Sequence, residues 1–162
     1  MFIYSIRAST VRFFACIFVC LAVLVLLLTL GSAETVYASA GGREINYGGI
    51  KTNEDRIAFI EGFGLKVSGE PVREETFTMP DDFDRIISGY NQIQRTQGLD
   101  LTKYARKRVT HYAYQVMNYD YDGTVYVNLI VYRGRIIAAD ISSVDGGGFV
   151  CALTELDTSR LK

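Results

Sequence analysis

The chain has no tryptophan, one histidine, two prolines and three cysteines. Each shortage narrows its chemistry. Cys16 and Cys20 fall inside an apolar stretch near the N-terminus, where they read as small apolar residues. Cys151 is then alone, and one thiol cannot close an internal disulfide. The folded part must rest on an apolar core instead. A single histidine, His111, and Cys151 lie far apart and match no zinc ligand set, so neither a metal nor a cofactor is expected. Eleven tyrosines and nine phenylalanines supply the aromatic bulk that tryptophan does not. A charge excess is missing as well. Arg7 and Arg12 aside, fifteen Lys and Arg face eighteen Asp and Glu, a net charge of −3. That balance does not suit a nucleic-acid partner, which calls for a basic face.

What the chain does have is a run of eighteen uncharged, mostly aliphatic positions at residues 13–30. At about 1.5 Å per residue, a helix of that length just crosses a hydrocarbon core of ~30 Å. Arg7 and Arg12 precede it, so the positive-inside bias keeps residues 1–12 in the cytoplasm and exports the remainder. The expectation is a single-pass membrane protein with its C-terminal domain outside. The run is longer than a secretory signal's apolar stretch of about 7–15 residues, which favours a retained anchor. Gly31-Ser32-Ala33 and Ala38-Ser39-Ala40 are the alternative, as small-residue cleavage sites that would release a secreted domain.

Residues 31–50, rich in Gly, Ala and Ser, read as a flexible linker. Residues 51–153 carry the periodic patterns of one α+β domain, and residues 154–162 read as a frayed tail. Thr52-Asn53-Glu54-Asp55 opens a helix, with Thr52 as cap and Asp55 at the capping-box position, and Gly62 and Gly64 stop it. Extended segments follow at 65–68 and 74–79. Pro80-Asp81-Asp82 starts a second helix, whose stripe of Phe83, Ile86, Ile87, Tyr90 and Ile93 is expected to face the core. After a short connection come strands at 108–116, 124–132 and 135–142, the last two joined by a tight Arg133-Gly134 turn. The order α-β-β-α-β-β-β predicts two helices packed on one face of an antiparallel sheet, preceded by one transmembrane helix. The other face of the middle strand would carry Tyr126, Ile130 and Tyr132, to be covered or offered to a partner.

The stretches TNEDRIAFIEGFGLKV, MPDDFDRIISGYNQIQRTQGLDLTKYARKRVTHYAYQVMNY and VYVNLIVYRGRIIAADISSVDGGGF resemble the domain of unknown function 4830 family, small membrane-anchored proteins of Gram-positive (Firmicute) bacteria. The resemblance implies membrane anchoring and one compact domain. It supplies no catalytic residues. The order of helix and meander is also loosely similar to small envelope modules such as PepSY-type domains, an analogy of fold only.

The candidate chemistries are few. A Cys151–His111 nucleophilic pair would need a third group such as Asp140 to orient the ring, and nothing local in the sequence activates the thiol. Asn118-Tyr119-Asp120-Tyr121-Asp122-Gly123 matches the first half of a calcium loop, but Leu129 stands where a bidentate Glu is required, so a hairpin loop is expected. Lys103, Arg106, Lys107 and Arg108 form a basic cluster that reads as a solvated strand entry, or as a contact for anionic polymer or lipid headgroups. Asp145-Gly146-Gly147-Gly148 lacks the Lys-Ser/Thr ending of a phosphate loop. The leading expectation is a non-enzymatic, membrane-tethered binding or sensing module. It would hold a protein or envelope polymer through Tyr126, Ile130 and Tyr132, and touch the membrane through residues 13–30. The alternatives are a cell-envelope hydrolase using Cys151 and His111, and a structural envelope component.

Overall fold

The computed structural model describes residues 37–40 and 43–162. The expected anchor lies outside them. Among the described residues, no helix is long and apolar enough to cross a membrane.

The elements are β1 (Tyr37–Ala40), β2 (Arg43–Asn46), α1 (Asn53–Glu61), β3 (Arg73–Thr78), α2 (Arg85–Thr96), β4 (Arg108–Gln115), β5 (Val125–Tyr132), β6 (Arg135–Ser143) and β7 (Val150–Ala152). The first two pair as a hairpin, and β3 to β7 form a five-stranded antiparallel sheet in chain order. The α+β class and the antiparallel meander are as the sequence predicts. The strand set differs. Of the segment 65–68, only Val67 bridges to the sheet, against Val116, and the fifth strand is β7 at the C-terminal side.

Alternation along β5 sorts the side chains onto two faces. Val125, Val127, Leu129 and Val131 point to the first face, where they join Ile60, Leu65, Tyr114, Ile136 and Ile141 in the larger apolar core. Tyr126, Asn128, Ile130 and Tyr132 point to the second. There a smaller core gathers Met79, Leu101, Val109, Ile130, Ile137 and Ala138, with Phe83, Tyr90 and Tyr104 against it.

The helices do not share a face. Helix α1 sits on the first, with Ile60 in the larger core. Its start is the expected capping box: Thr52 Oγ1 accepts from the Asp55 amide, and the Asp55 carboxylate accepts from the Thr52 amide. Helix α2 begins later than expected, capped by Asp84, and sends Tyr90 to the second face.

The apolar stripe expected of α2 is buried only in part: Phe83 and Tyr90 pack against the smaller core. Ile86 is 81% exposed, whereas Gln94 is 0% exposed and Asn91 is buried. The reason is the sheet edge. β7 pairs only with residues 140–142 of β6, which leaves the Ala139 backbone without a strand partner on that side. Gln94 Oε1 accepts from the Ala139 amide at 2.9 Å, and Gln97 Nε2 donates to the Ala139 carbonyl. Buried backbone groups must be paired, and here side-chain amides replace a strand. Asn91 ties down the next turn by accepting from the Leu101 amide at 2.8 Å.

The rest of that edge is closed by residues expected to be linker. The Ile136 amide donates to the Tyr47 carbonyl, the Ile50 amide to the Gly134 carbonyl, and Gly48 bridges to Arg135. Tyr47 is fully buried, its hydroxyl donating to the Gln97 carbonyl at 3.0 Å. Residues 45–50 therefore pack on the domain. Nor is the C-terminus frayed: Leu161 bridges to Tyr119 and packs on the larger core, and the Lys162 ammonium pairs with Asp120 at 2.6 Å. Residues 47–50 and 154–162 show no helix or strand period because they serve as edge and cover, not as layers.

Candidate functional site

Second-face positions of β4, β5 and β6 form a row that mixes polar with apolar groups. His111 on β4, Asn128 on β5 and Asp140 on β6 stand there among apolar neighbours. Together with Phe77, Tyr90 and Ile130 they line an open cavity of about 300 Å³.

Asp140 is the buried anchor, 3% exposed. Its Oδ1 accepts from the Tyr90 hydroxyl at 2.6 Å and its Oδ2 from Asn128 Nδ2 at 2.8 Å. Asn128 Nδ2 also reaches Ser142 Oγ at 2.9 Å, and Asn128 Oδ1 lies 3.1 Å from His111 Nε2. The chain of contacts runs from half-buried histidine through an amide to a buried carboxylate. Burial raises the Asp140 pKa above the usual carboxylate range, while the hydrogen bonds from Tyr90 and Asn128 and the nearby His111 oppose it. Burial, and next the Asp140 charge, push the Tyr90 hydroxyl well above the ordinary tyrosine value. Tyr90 therefore stays a donor, and the carboxylate's two oxygens are each engaged. The rest of the lining is the His111 ring and the apolar walls of Phe77 and Ile130, while the Asn128 amide is engaged at both ends.

The structure does not bring Cys151 to this place. On β7, Cys151 pairs with Ile141 and packs with the first-face core, whereas Asp140 and His111 belong to the second face. The sheet separates thiol from imidazole. Burial, followed by Glu155 and Asp140, raises the Cys151 pKa, which is the wrong direction for a thiolate nucleophile. His111 addresses the Asn128 amide, and Ser142 Oγ is occupied by that amide's other end.

The expected partner surface splits. Ile130 is 7% exposed and belongs to the smaller core. Tyr132 packs edge-on against Tyr104, ring centroids 5.6 Å apart. Tyr126 stays half-buried, outside that core. Ile130 is covered by Phe77 and Met79 from the expected strand 74–79 and by Phe83, Tyr90, Leu101 and Tyr104 from the segment that follows it.

The remaining motifs have structural partners. Asn118 is buried, accepting from the Lys66 amide at 2.7 Å and donating to the Gly64 carbonyl at 3.0 Å. Gly123, at φ +147, leaves room for the Asp145 carboxylate, which accepts from the Thr124 amide; a Cβ there would run into that carboxylate. Arg106 pairs with Asp81, while Arg108 turns to the first face.

A family model described as Domain of unknown function (DUF4830) matches residues 59–141, from the second half of α1 through most of β6. The chain belongs to this family. No curated protein and no solved structure matches it. The DUF4830 match includes Phe77, Tyr90, His111, Asn128, Ile130 and Asp140, so every wall of the cavity lies within the family region.

The sequence reading singled out His111 and Asp140 but missed Tyr90 and Asn128 as site residues. A signal was there for Asn128: it interrupts an otherwise apolar and aromatic strand, VYVNLIVY. Buried polar side chains in such strands need partners, and partners imply a cluster.

Proposed function

We propose that this DUF4830 protein is a non-enzymatic binding or sensing module, held outside the cytoplasmic membrane by residues 13–30. It takes a protein or envelope component at the second sheet face. The observation that carries the reading is the cavity itself: apolar walls, an imidazole and an amide in the lining, and a buried carboxylate that the protein's own donors already engage. Such a mix of apolar lining and few fixed polar groups suits recognition. Tyr126 extends the surface beside it and supplies an aromatic contact of the kind enriched at interfaces.

The test is crosslinking in the cells that make the protein, with a photoreactive residue in place of Tyr126. The expected result is a discrete, saturable adduct, lost when Asn128→Ala is added and retained when Thr76, on the opposite face of β3, is changed to Ala. An adduct unaffected by Asn128→Ala would overturn the assignment of the face. A protease added to intact cells tests the location, and it should remove the domain without lysis.

A further inference from the structure

The first face carries a second opening, unlike the one above. It is an open cleft of about 420 Å³ at the start of β4 and the end of β5, where the Arg133-Gly134 turn meets Lys51. Four cationic residues line it, Lys51, Arg56, Arg108 and Arg133, together with Thr110 and Tyr112, and no carboxylate does.

Arg56 is the unusual member. It is 9% exposed, yet its protein partners are neutral. Nε donates to the Tyr114 hydroxyl at 2.6 Å, Nη2 to Asn53 Oδ1 at 3.4 Å, and the guanidinium stands 3.8 Å from the centre of the Tyr112 ring. None of the ion pairs among the described residues includes Arg56, Lys51, Arg108 or Arg133. Four acids are near, Glu54, Asp55, Glu70 and Glu74, and none forms an ion pair with the cleft's cations. Glu54 feels the Arg56 charge, Asp55 that of Lys51, and Glu70 acts on the Tyr114 hydroxyl from the exposed bend at residues 69–70. Asp55 accepts from the Lys51 and Thr52 amides, Glu54 sits in the exposed first turn of α1, and Glu74 is exposed on β3 across from Tyr112. A buried charge without a counter-charge is expensive, so it is kept where an anion completes it.

We propose that this cleft binds a phosphate group. The Tyr112 ring and the two hydrogen bonds fix the plane of the Arg56 guanidinium and leave Nη1 without a protein partner among the described residues. A planar, immobilised fork of this kind matches the spacing of two phosphate oxygens. Lys51 and Arg108, both exposed, add charge beside it, and the Thr110 hydroxyl, 3.1 Å from Thr76 Oγ1, has a proton for the ligand when Thr76 is the donor of that pair. Several converging cations favour a phosphate over a singly charged carboxylate. The cleft is larger than one phosphate, which leaves room for the esterified group. The same chemistry is offered by a soluble phosphate ester and by a phosphodiester lipid headgroup.

The experiment uses the purified full-length chain in a non-ionic detergent, at constant ionic strength. Inorganic phosphate, glycerol phosphate and acetate are titrated while the thermal unfolding midpoint is followed. Vesicles of phosphatidylglycerol and of phosphatidylcholine are tested by co-sedimentation. Phosphate or glycerol phosphate should raise the midpoint where acetate does not. Arg108→Gln and Lys51→Gln, both exposed and compatible with folding, should each weaken that effect about tenfold, the range expected for losing one charge-assisted contact. Phosphatidylglycerol binding that depends on Arg108 would identify a lipid headgroup as the source, and soluble esters binding without vesicles would identify a small molecule. Equal protection by acetate, or unchanged phosphate binding in both variants, would overturn the proposal. Tyr126 and Asn128 lie on the opposite face, so failure here leaves the crosslinking result untouched, and the reverse also holds.

Discussion

The two faces of the sheet solve the same problem in opposite ways. The first face hides Leu129, Val127, Tyr114 and Ile60 in a thick apolar layer and buries one cation, Arg56, at its margin. The second has a thinner apolar patch and buries an anion, Asp140, beneath donors from Tyr90 and Asn128. Stability is concentrated on one side, and polar groups able to meet a ligand stand at its margin and across the other. The contrast teaches that a charge can be kept inside a small domain in two ways. It can be wrapped by the protein's own donors, as Asp140 is, or left for something else to complete, as Arg56 is.

The largest blow to this contrast is Leu129→Ala. Leu129 is fully buried on the first face, and its truncation should cost about 2–5 kcal/mol in denaturant unfolding. A loss under about 1 kcal/mol would show that the first face is not the main source of stability. Next comes the edge between the faces. Gln94→Leu leaves the Ala139 amide unpaired and should cost about 1–3 kcal/mol, with faster hydrogen exchange at that amide. Unaltered exchange would mean that the side chain does not close the edge.

Asp140→Asn sharpens the second face through pH. Burial raises the Asp140 pKa above 3.8, so folding favours its protonated form. That contribution is fully present below the unfolded value and is lost as pH rises through the folded one. Wild type should therefore lose stability, relative to the Asn variant, as pH climbs from about 4 towards neutrality. Carboxylates with lowered pKa, such as Asp55 and Asp157, act the other way at lower pH and are common to both proteins, so the difference curve reports Asp140 together with its coupling to His111. Parallel curves would count against a strained buried carboxyl. The smallest effect belongs to Ile86→Ser, which should shift stability by under about 0.5 kcal/mol because that side chain is already in solvent.

Much of this could be read along the chain. The capping box at Thr52 and Asp55, the period-two pattern of β4 to β6 and the Arg133-Gly134 turn are local, and local rules found them. The orientation of α2 is not local. Its apolar stripe pointed the expectation inward, and Phe83 and Tyr90 do reach the smaller core, but Ile86 is in solvent and the most deeply buried positions of the helix are the polar Asn91 and Gln94. No rule of helix periodicity registers that a strand several dozen residues away has an unpaired carbonyl. Tyr47 and Leu161 were missed for a related reason, since each covers a layer built by other segments. The cavity was half visible: His111 and Asp140 stood out by residue type, while Tyr90 and Asn128 became partners only through the sheet register.

The amino-acid order alone was enough to specify the α+β class, the meander and the first helix's start, because each follows from side-chain period and from chemistry within a few residues. Tertiary structure decided which side of α2 is inside, that Cys151 and His111 lie on opposite faces, and that four cations share one cleft. Those outcomes depend on pairing buried backbone and charge across long separations, and such pairing exists only once the chain has closed on itself.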